Sequence, residues 1–245
     1  MPDLKTYGRH PVQEALQSGA PVRKIYLAHG SRGPEMMELI HLAEEKRIPL
    51  QTVPRPELDR LAETDKHQGI LAIMPGVNYV PWGKFLDRAR EKQEKPVLLL
   101  LDGVEDPRNL GAILRVADGA GMHGVVITKR RCAEVTAAAV KTSAGAAFHI
   151  PIAQETNLNA VIEQLKRENI WIAGCDMTGE KPIFEMDAQM PLALVLGGEG
   201  LGLHRLVREK CDFLFHIPMR GKVESLNVST AAAIVCYEVV RQRMI

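Results

Sequence analysis

From Pro96 onward the chain repeats one pattern, a short apolar run followed by an amphipathic stretch. The runs are Val97–Leu101, Val125–Thr128, Ile170–Gly174, Leu192–Leu196 and Phe213–Ile217. Helical spacing of apolar residues marks Leu110–Ala120, Thr136–Thr142, Leu158–Arg167, Leu203–Lys210 and Val228–Arg241. A strand that is apolar throughout is buried on both faces, and parallel strands need crossovers that helices supply. The expectation is therefore an α/β domain with a parallel sheet covered on both sides.

The first part of the chain alternates on a smaller scale. Pro11–Gly19 reads as a helix opened by Pro and closed by Gly, Arg23–Ala28 as a strand, Glu35–Arg47 as a helix and Ile48–Val53 as a strand. A brief helix at Leu58–Leu61 and a strand at Gly69–Met74 complete a small α/β unit over residues 1–75. Residues 76–95, rich in Pro, Gly and charge, read as a mostly solvated linker ending in a polar helix, with docking through Trp82 and Phe85 as the alternative, and the larger domain spans 96–245. Two unequal domains suit a chain of 245 residues, since one domain takes about 150.

Composition narrows the functional classes. No apolar run approaches the ~18 residues that cross a bilayer, and Met1–His10 lacks the apolar core of a secretory signal, so a cytoplasmic address is expected. Cys132, Cys175, Cys211 and Cys236 form no Cys-x-x-Cys pair, and the histidines show no His-Glu-x-x-His spacing, so no metal is expected. A net charge of +1 offers no overall footprint for nucleic acid. Locally, Lys129–Arg131, Arg241 and Arg243 are candidates for phosphate contacts.

In open parallel sheets ligands bind beyond the carboxyl ends of strands. Three segments there stand out: Asp102–Gly111 leading to Arg115, the glycine-rich Gly197–Gly202 around Glu199, and Ile217–Ser229. Glycines let backbone approach a flat ligand, and an acid among them has no solubility role to fill. Each segment also has a plainer reading. Asn109 could cap a helix beginning at Leu110, Ser225 or Asn227 could cap the last helix, and Arg115 could be a surface residue. The string Gly119-x-Gly121-x-x-Gly124 follows a helix and precedes a strand, the reverse of a dinucleotide fingerprint, and reads as a helix stop.

Taken together, these three segments resemble the motifs of the SpoU family of RNA 2'-O-methyltransferases, within the SPOUT superfamily. The match runs from Val97 to the C-terminus and rests on Asn109 and Arg115, on Gly197-Gly198-Glu199-Gly200, and on Ser225-Leu226-Asn227-x-Ser229. Gly198 stands where Ser or Ala is frequent in the family. The N-terminal Tyr7-Gly8-x-His10-Pro11-Val12 and His67-Gln68-Gly69 look like the substrate-binding domain of the subgroup acting on large-subunit ribosomal RNA.

The resemblance implies a trefoil-knotted catalytic domain, a homodimer whose site draws on both subunits, and S-adenosyl-L-methionine (SAM) as methyl donor. It implies 23S rRNA as the structured RNA substrate, with a guanosine ribose as target. Cofactor contacts would come from Gly197, Ile217 and Leu226, together with Gly198, Gly202 and Met219. Arg115, Asn109, Glu199, Ser225 and Asn227 would serve the reaction. The same chemistry on tRNA or on an antibiotic-target rRNA site, and a non-catalytic RNA-binding or ribosome-assembly factor, are the alternative readings.

Overall fold

The computed structural model describes residues 3–200 and 202–244. Two sheets organise them. The N-terminal unit runs β1 (Leu4–Tyr7), α1 (Arg9–Gln17), β2 (Lys24–Ala28), α2 (Pro34–Glu45), β3 (Leu50–Val53), α3 (Arg55–Ala62) and β4 (Ile70–Met74). Its strands lie in the order β1-β4-β2-β3, with β2 and β3 parallel and the other pairs antiparallel. Strand β1 was not anticipated from sequence: only Thr6 of its four residues is buried, and a single inward residue gives no alternation to detect.

Helix α4 (Gly83–Glu91) corrects the expectation of a solvated linker. Phe85 is 0% exposed, and with Leu86 and Ala89 it packs among Leu98, Leu100, Val126 and Ile162 of the larger domain. Ahead of it, Tyr79 bridges to Ile152, and its hydroxyl accepts the Val135 N–H at 3.2 Å. Three apolar residues on one stripe suffice to dock a helix whose average composition is polar.

The larger domain continues with β5 (Val97–Asp102), α5 (Pro107–Gly119), β6 (Gly124–Thr128), α6 (Ala137–Thr142), β7 (Ile152–Glu155), α7 (Leu158–Arg167), β8 (Trp171–Cys175) and β9 (Lys181–Pro182). It closes with β10 (Leu192–Gly197), α8 (Arg205–Lys210), β11 (Phe213–His216) and α9 (Val228–Arg243). All seven strands are parallel, in the order β7-β6-β5-β10-β8-β11-β9. The short β7 and β9 were not read from sequence.

Successive strand residues point to opposite faces, and the burial follows that rule. Leu99, Leu101, Leu194 and Leu196 pack with Ile113 and Leu114 of α5 and Val235 of α9. Leu98, Leu100, Ala193 and Val195 pack on the other face with Phe85, Ile162 and Leu165. Each such leucine contributes on the order of 1.5–3 kcal/mol by leaving water.

The register then sets the site. Asp102 pairs with Gly197, Leu196 with Cys175, and Phe215 with Cys175, so β5, β10, β8 and β11 end at one level. Whatever follows these strands meets above the middle of the sheet.

Candidate active site

Helix α5 begins at Pro107, earlier than the sequence suggested, because Asp106 caps it: its carboxylate accepts the Arg108 N–H at 2.9 Å. This corrects the capping reading of Asn109 and frees its side chain. The Asn109 amide donates to Glu199 Oε1 at 2.7 Å. Asn227 donates to the same oxygen at 2.7 Å and to Asn109 Oδ1 at 3.1 Å. A carboxylate only accepts, which fixes both amides with nitrogen toward Glu199. Asn227 Oδ1 in turn takes the Ser229 N–H at 2.9 Å and the Ser229 hydroxyl at 2.6 Å. Asn227 is thus both the cap of α9 and a member of the cluster, and all three sequence motifs meet there.

Beside the cluster lies a pocket of about 330 Å³. Gly197, Gly198, Glu199, Gly200 and Gly202 form one wall, and Ile217, Met219, Ser225 and Leu226 the other. Two glycines are required by close approach. A Cβ on Gly197 would lie 2.1 Å from the Gly202 carbonyl carbon, and one on Gly198 would lie 2.0 Å from Gly103 O. The loop folds back on itself through a Gly198–Gly202 bridge and is anchored by the Gly198 N–H on Asp102 O at 2.7 Å. Leu201, within this motif, lies outside the described residues.

The polar surroundings stiffen this loop. Asp102, buried at the end of β5, accepts the His204 N–H at 2.7 Å and faces His204 Nδ1 at 3.0 Å. Asp176 follows β8 and lines the pocket. Burial works against its ionisation, but the Thr178 hydroxyl and N–H and the Leu203 N–H outweigh that and hold its carboxyl below the usual range. Burial pushes the pocket-lining Cys175 thiol up to about 11, and Cys132, Cys211 and Cys236 are likewise raised by burial. Such thiols stay protonated and inert at neutral pH.

The structure brings together Asn109, Glu199 and Asn227 in the cluster and Gly197, Gly198, Gly202, Ile217, Met219, Ser225 and Leu226 around the pocket. It does not bring Arg115 to either. Arg115 lies on the exposed side of α5 and makes no hydrogen bond or ion pair among the described residues, so Glu199 and Asn227 hold Asn109 rather than Arg115. Sequence reading missed Asp176, Met177, His216 and Ala231 in the pocket wall. The first two follow β8, and the strand-end rule applied there would have found them.

The C-terminal arginines are structural. Arg241 pairs with buried Glu238, and Arg243 donates to the carbonyls of Ala188, Lys95 and Met190. His67 is fully buried in a turn, its Nδ1 accepting the Gly69 N–H and its Nε2 facing Asp59 at 2.7 Å. Among the described residues no group of three His, Cys, Asp or Glu is placed to hold a metal, and no helix is long and apolar enough to cross a membrane.

Comparison with known proteins supplies a context for this geometry. Residues 96–237 match the model of the SpoU rRNA Methylase family, and residues 6–80 match the one described as RNA 2'-O ribose methyltransferase substrate binding. A TrmH family tRNA/rRNA methyltransferase of Bacillus subtilis is 44% identical over 236 residues, covering 96% of this chain and 94% of the relative. A Staphylococcus haemolyticus protein of the same description is 42% identical over 243 residues, covering 99% and 97%.

Among solved structures, the SpoU methyltransferase AviRb from Streptomyces viridochromogenes in complex with AdoMet superposes with a TM-score of 0.68 at 28% identity, covering 99% of this chain and 91% of that one. A structure described as an RNA 2'-O ribose methyltransferase gives 0.68 at 25% identity, covering 99% and 90%. The parallel sheet with its appended N-terminal unit is the SPOUT fold of these proteins. The pocket suits S-adenosyl-L-methionine: glycine backbone that tolerates no Cβ on one side, and Leu196, Ile217, Leu226 and Val228 offering apolar cover. The chain belongs to the SpoU family of RNA methyltransferases, with S-adenosyl-L-methionine as its methyl donor.

Proposed function

We propose that this protein methylates the ribose 2'-hydroxyl of a guanosine in 23S rRNA. The observation that carries the reading is the Asn109–Glu199–Asn227 cluster at the rim of the cofactor pocket, which fixes polar groups where a sugar would meet the donor. The family descriptions that match residues 6–80 and the 25%-identical neighbour both speak of RNA 2'-O ribose methylation, which supports ribose over base as the acceptor.

Bound SAM supplies a methyl group on a sulfonium, ready for in-line displacement. The residues of the chain do the rest. Gly197, Ile217 and Leu226 hold the donor through backbone and apolar contact, and Gly198, Gly202 and Met219 shape the wall. In this reading the segment from Ile217 to Asn227 is the threaded part of the trefoil knot. Glu199 Oε1 is already engaged by two amides, so Oε2 and the Ser225 hydroxyl are the groups that orient the ribose. Placement of two reactants in this way is worth about 7–11 kcal/mol of barrier.

Arg115 supplies the charge. A guanidinium does not act as a base at neutral pH, so its role is to hold an RNA phosphate and stabilise developing alkoxide while the 2'-hydroxyl proton leaves to solvent water. On its own subunit it is exposed on α5 and does not line the pocket, and this supports a homodimer in which Arg115 serves the partner's pocket. An RNA substrate of this kind goes with a cytoplasmic address.

Incubation with labelled SAM and total RNA, followed by mapping of modified riboses in a deletion strain, tests the assignment. One 2'-O-methylguanosine of 23S rRNA should be absent from the deletion strain. Loss from tRNA or from an antibiotic-binding rRNA loop would move the substrate. No transfer to any RNA would leave a binding or assembly factor instead. Arg115→Ala should lower turnover at saturating SAM by about 10²–10³-fold, and near wild-type turnover would remove Arg115 from the reaction.

A further inference from the structure

The larger cavity of this protein is not beside Glu199. It lies in the N-terminal unit, holds about 570 Å³, and is lined by Arg9, His10, His29, Arg32, Glu35 and Arg55 among others. The parallel pairing of β2 with β3 creates it, because Ala28 is opposite Val53 and the segments carrying Arg32 and Arg55 leave those strand ends side by side. Ala28 is the one apolar side chain in the lining, in contrast to the cofactor pocket.

The lining is set for anions. Arg32 and Arg55 are exposed and have no hydrogen-bond or ion-pair partner among the described residues. Arg9 reaches Glu35 at 3.1 Å, yet its Nε is buried without an acceptor. Three helices also begin at this cavity: α1 supplies Arg9 and His10, α2 supplies Glu35 and α3 supplies Arg55. None of the three is capped by the side chain of its own N-cap residue, although the Gln68 side-chain oxygen takes the Arg9 N–H of α1 at 3.0 Å. Free N–H groups and the positive ends of helices add to the field of the guanidiniums.

We propose that this cavity seats a bent, unpaired stretch of the substrate RNA backbone, with successive phosphates on Arg9, Arg32 and Arg55. A free nucleotide coenzyme would want a largely apolar pocket around its base, and Ala28 alone does not make one. A single-stranded segment needs only cations for its phosphates, and the His10 and His29 rings or the guanidinium planes serve for an unstacked base. The inference rests on RNA being the substrate and names the place where the N-terminal unit grips it.

The full-length Arg32→Glu/Arg55→Glu double variant tests it, with Arg32→Gln/Arg55→Gln as a milder second version. Binding to a 23S rRNA transcript is measured across a salt series, alongside SAM affinity and turnover at saturating RNA. The double variant should bind the transcript at least ~10-fold more weakly, and the log–log salt slope should become shallower by about 1.4 for two lost single-strand phosphate contacts. SAM affinity and saturated turnover should stay within about 2-fold, which a general folding defect would not allow. An unchanged salt slope in a variant that still binds SAM would overturn the pocket while leaving the RNA reading intact. A wild-type protein that neither binds nor methylates any RNA would overturn both.

Discussion

The cofactor pocket and the N-terminal cavity are built by opposite means. Above the large sheet, α5 and α9 are closed by their own capping side chains, the glycine loop is pinned by Asp102, and glycine backbone and apolar side chains make up much of the cavity wall. Above the small sheet, α2 and α3 start without a side-chain cap, Arg32 and Arg55 have no partner among the described residues, and charged and polar side chains dominate the wall. The first arrangement suits one small molecule held to a fraction of an ångström. The second suits a polyanion whose grip comes from field strength rather than fit, and whose binding therefore falls with salt. Both lie beyond the ends of adjacent parallel strands, so one topological rule yields two kinds of site.

Substitutions that strike one hollow should leave the other untouched. The largest effect is expected from Glu199→Ala, which removes the acceptor shared by Asn109 and Asn227. Methyl transfer should fall by about 10²–10³-fold while RNA affinity stays near wild type, as filter binding and single-turnover assays would report. A parallel loss of RNA affinity would mean that the two regions are not separable.

Gly198→Ala comes next. The added Cβ cannot coexist with Gly103 O at 2.0 Å, and displacing the loop should cost about 1–3 kcal/mol, read by calorimetry as weaker SAM binding. Unaltered SAM affinity would show that the loop can yield.

The smallest effect concerns neither hollow. His123 is buried, accepts the Val97 N–H at Nδ1, and has Nε2 3.1 Å from Glu94 but without a hydrogen bond. Burial depresses its pKa below the ordinary 6.5, against an opposing pull from Glu94. The unfolded chain then binds the proton more readily, so this stability is present above about 6.5 and is lost as pH falls toward the lower folded value. Melting temperatures between pH 8 and 5 should drop more for wild type than for His123→Gln, with both binding activities unchanged above pH 7. Equal slopes would remove His123 from the acid sensitivity.

The legibility of the chain from sequence divides along similar lines. The strands Val97–Asp102 and Leu192–Gly197 were plain because burial on both faces leaves only apolar residues. The cluster was legible as three motifs, but its wiring was not: that Asp106 rather than Asn109 caps α5 depends on where the helix starts, a boundary that periodicity sets only to within a few residues. Arg115 could be named from the motif, yet its outward direction could not. Helix α4 was misread because three buried residues sit among many charges. The basic cavity went unread because Arg9, Arg32 and Arg55 are far apart in sequence, and each alone is an ordinary surface arginine. Only the β2–β3 pairing makes them neighbours.

Asn227 ties these levels together. The oxygen of its amide closes the start of α9 by accepting the Ser229 N–H, while its nitrogen donates to Glu199. Fraying of that first helical turn and disassembly of the polar cluster are consequently the same opening event. Protection of the Ser229 amide from deuterium exchange should therefore track the fraction of molecules poised for turnover, a readiness gauge that needs neither donor nor RNA in the tube.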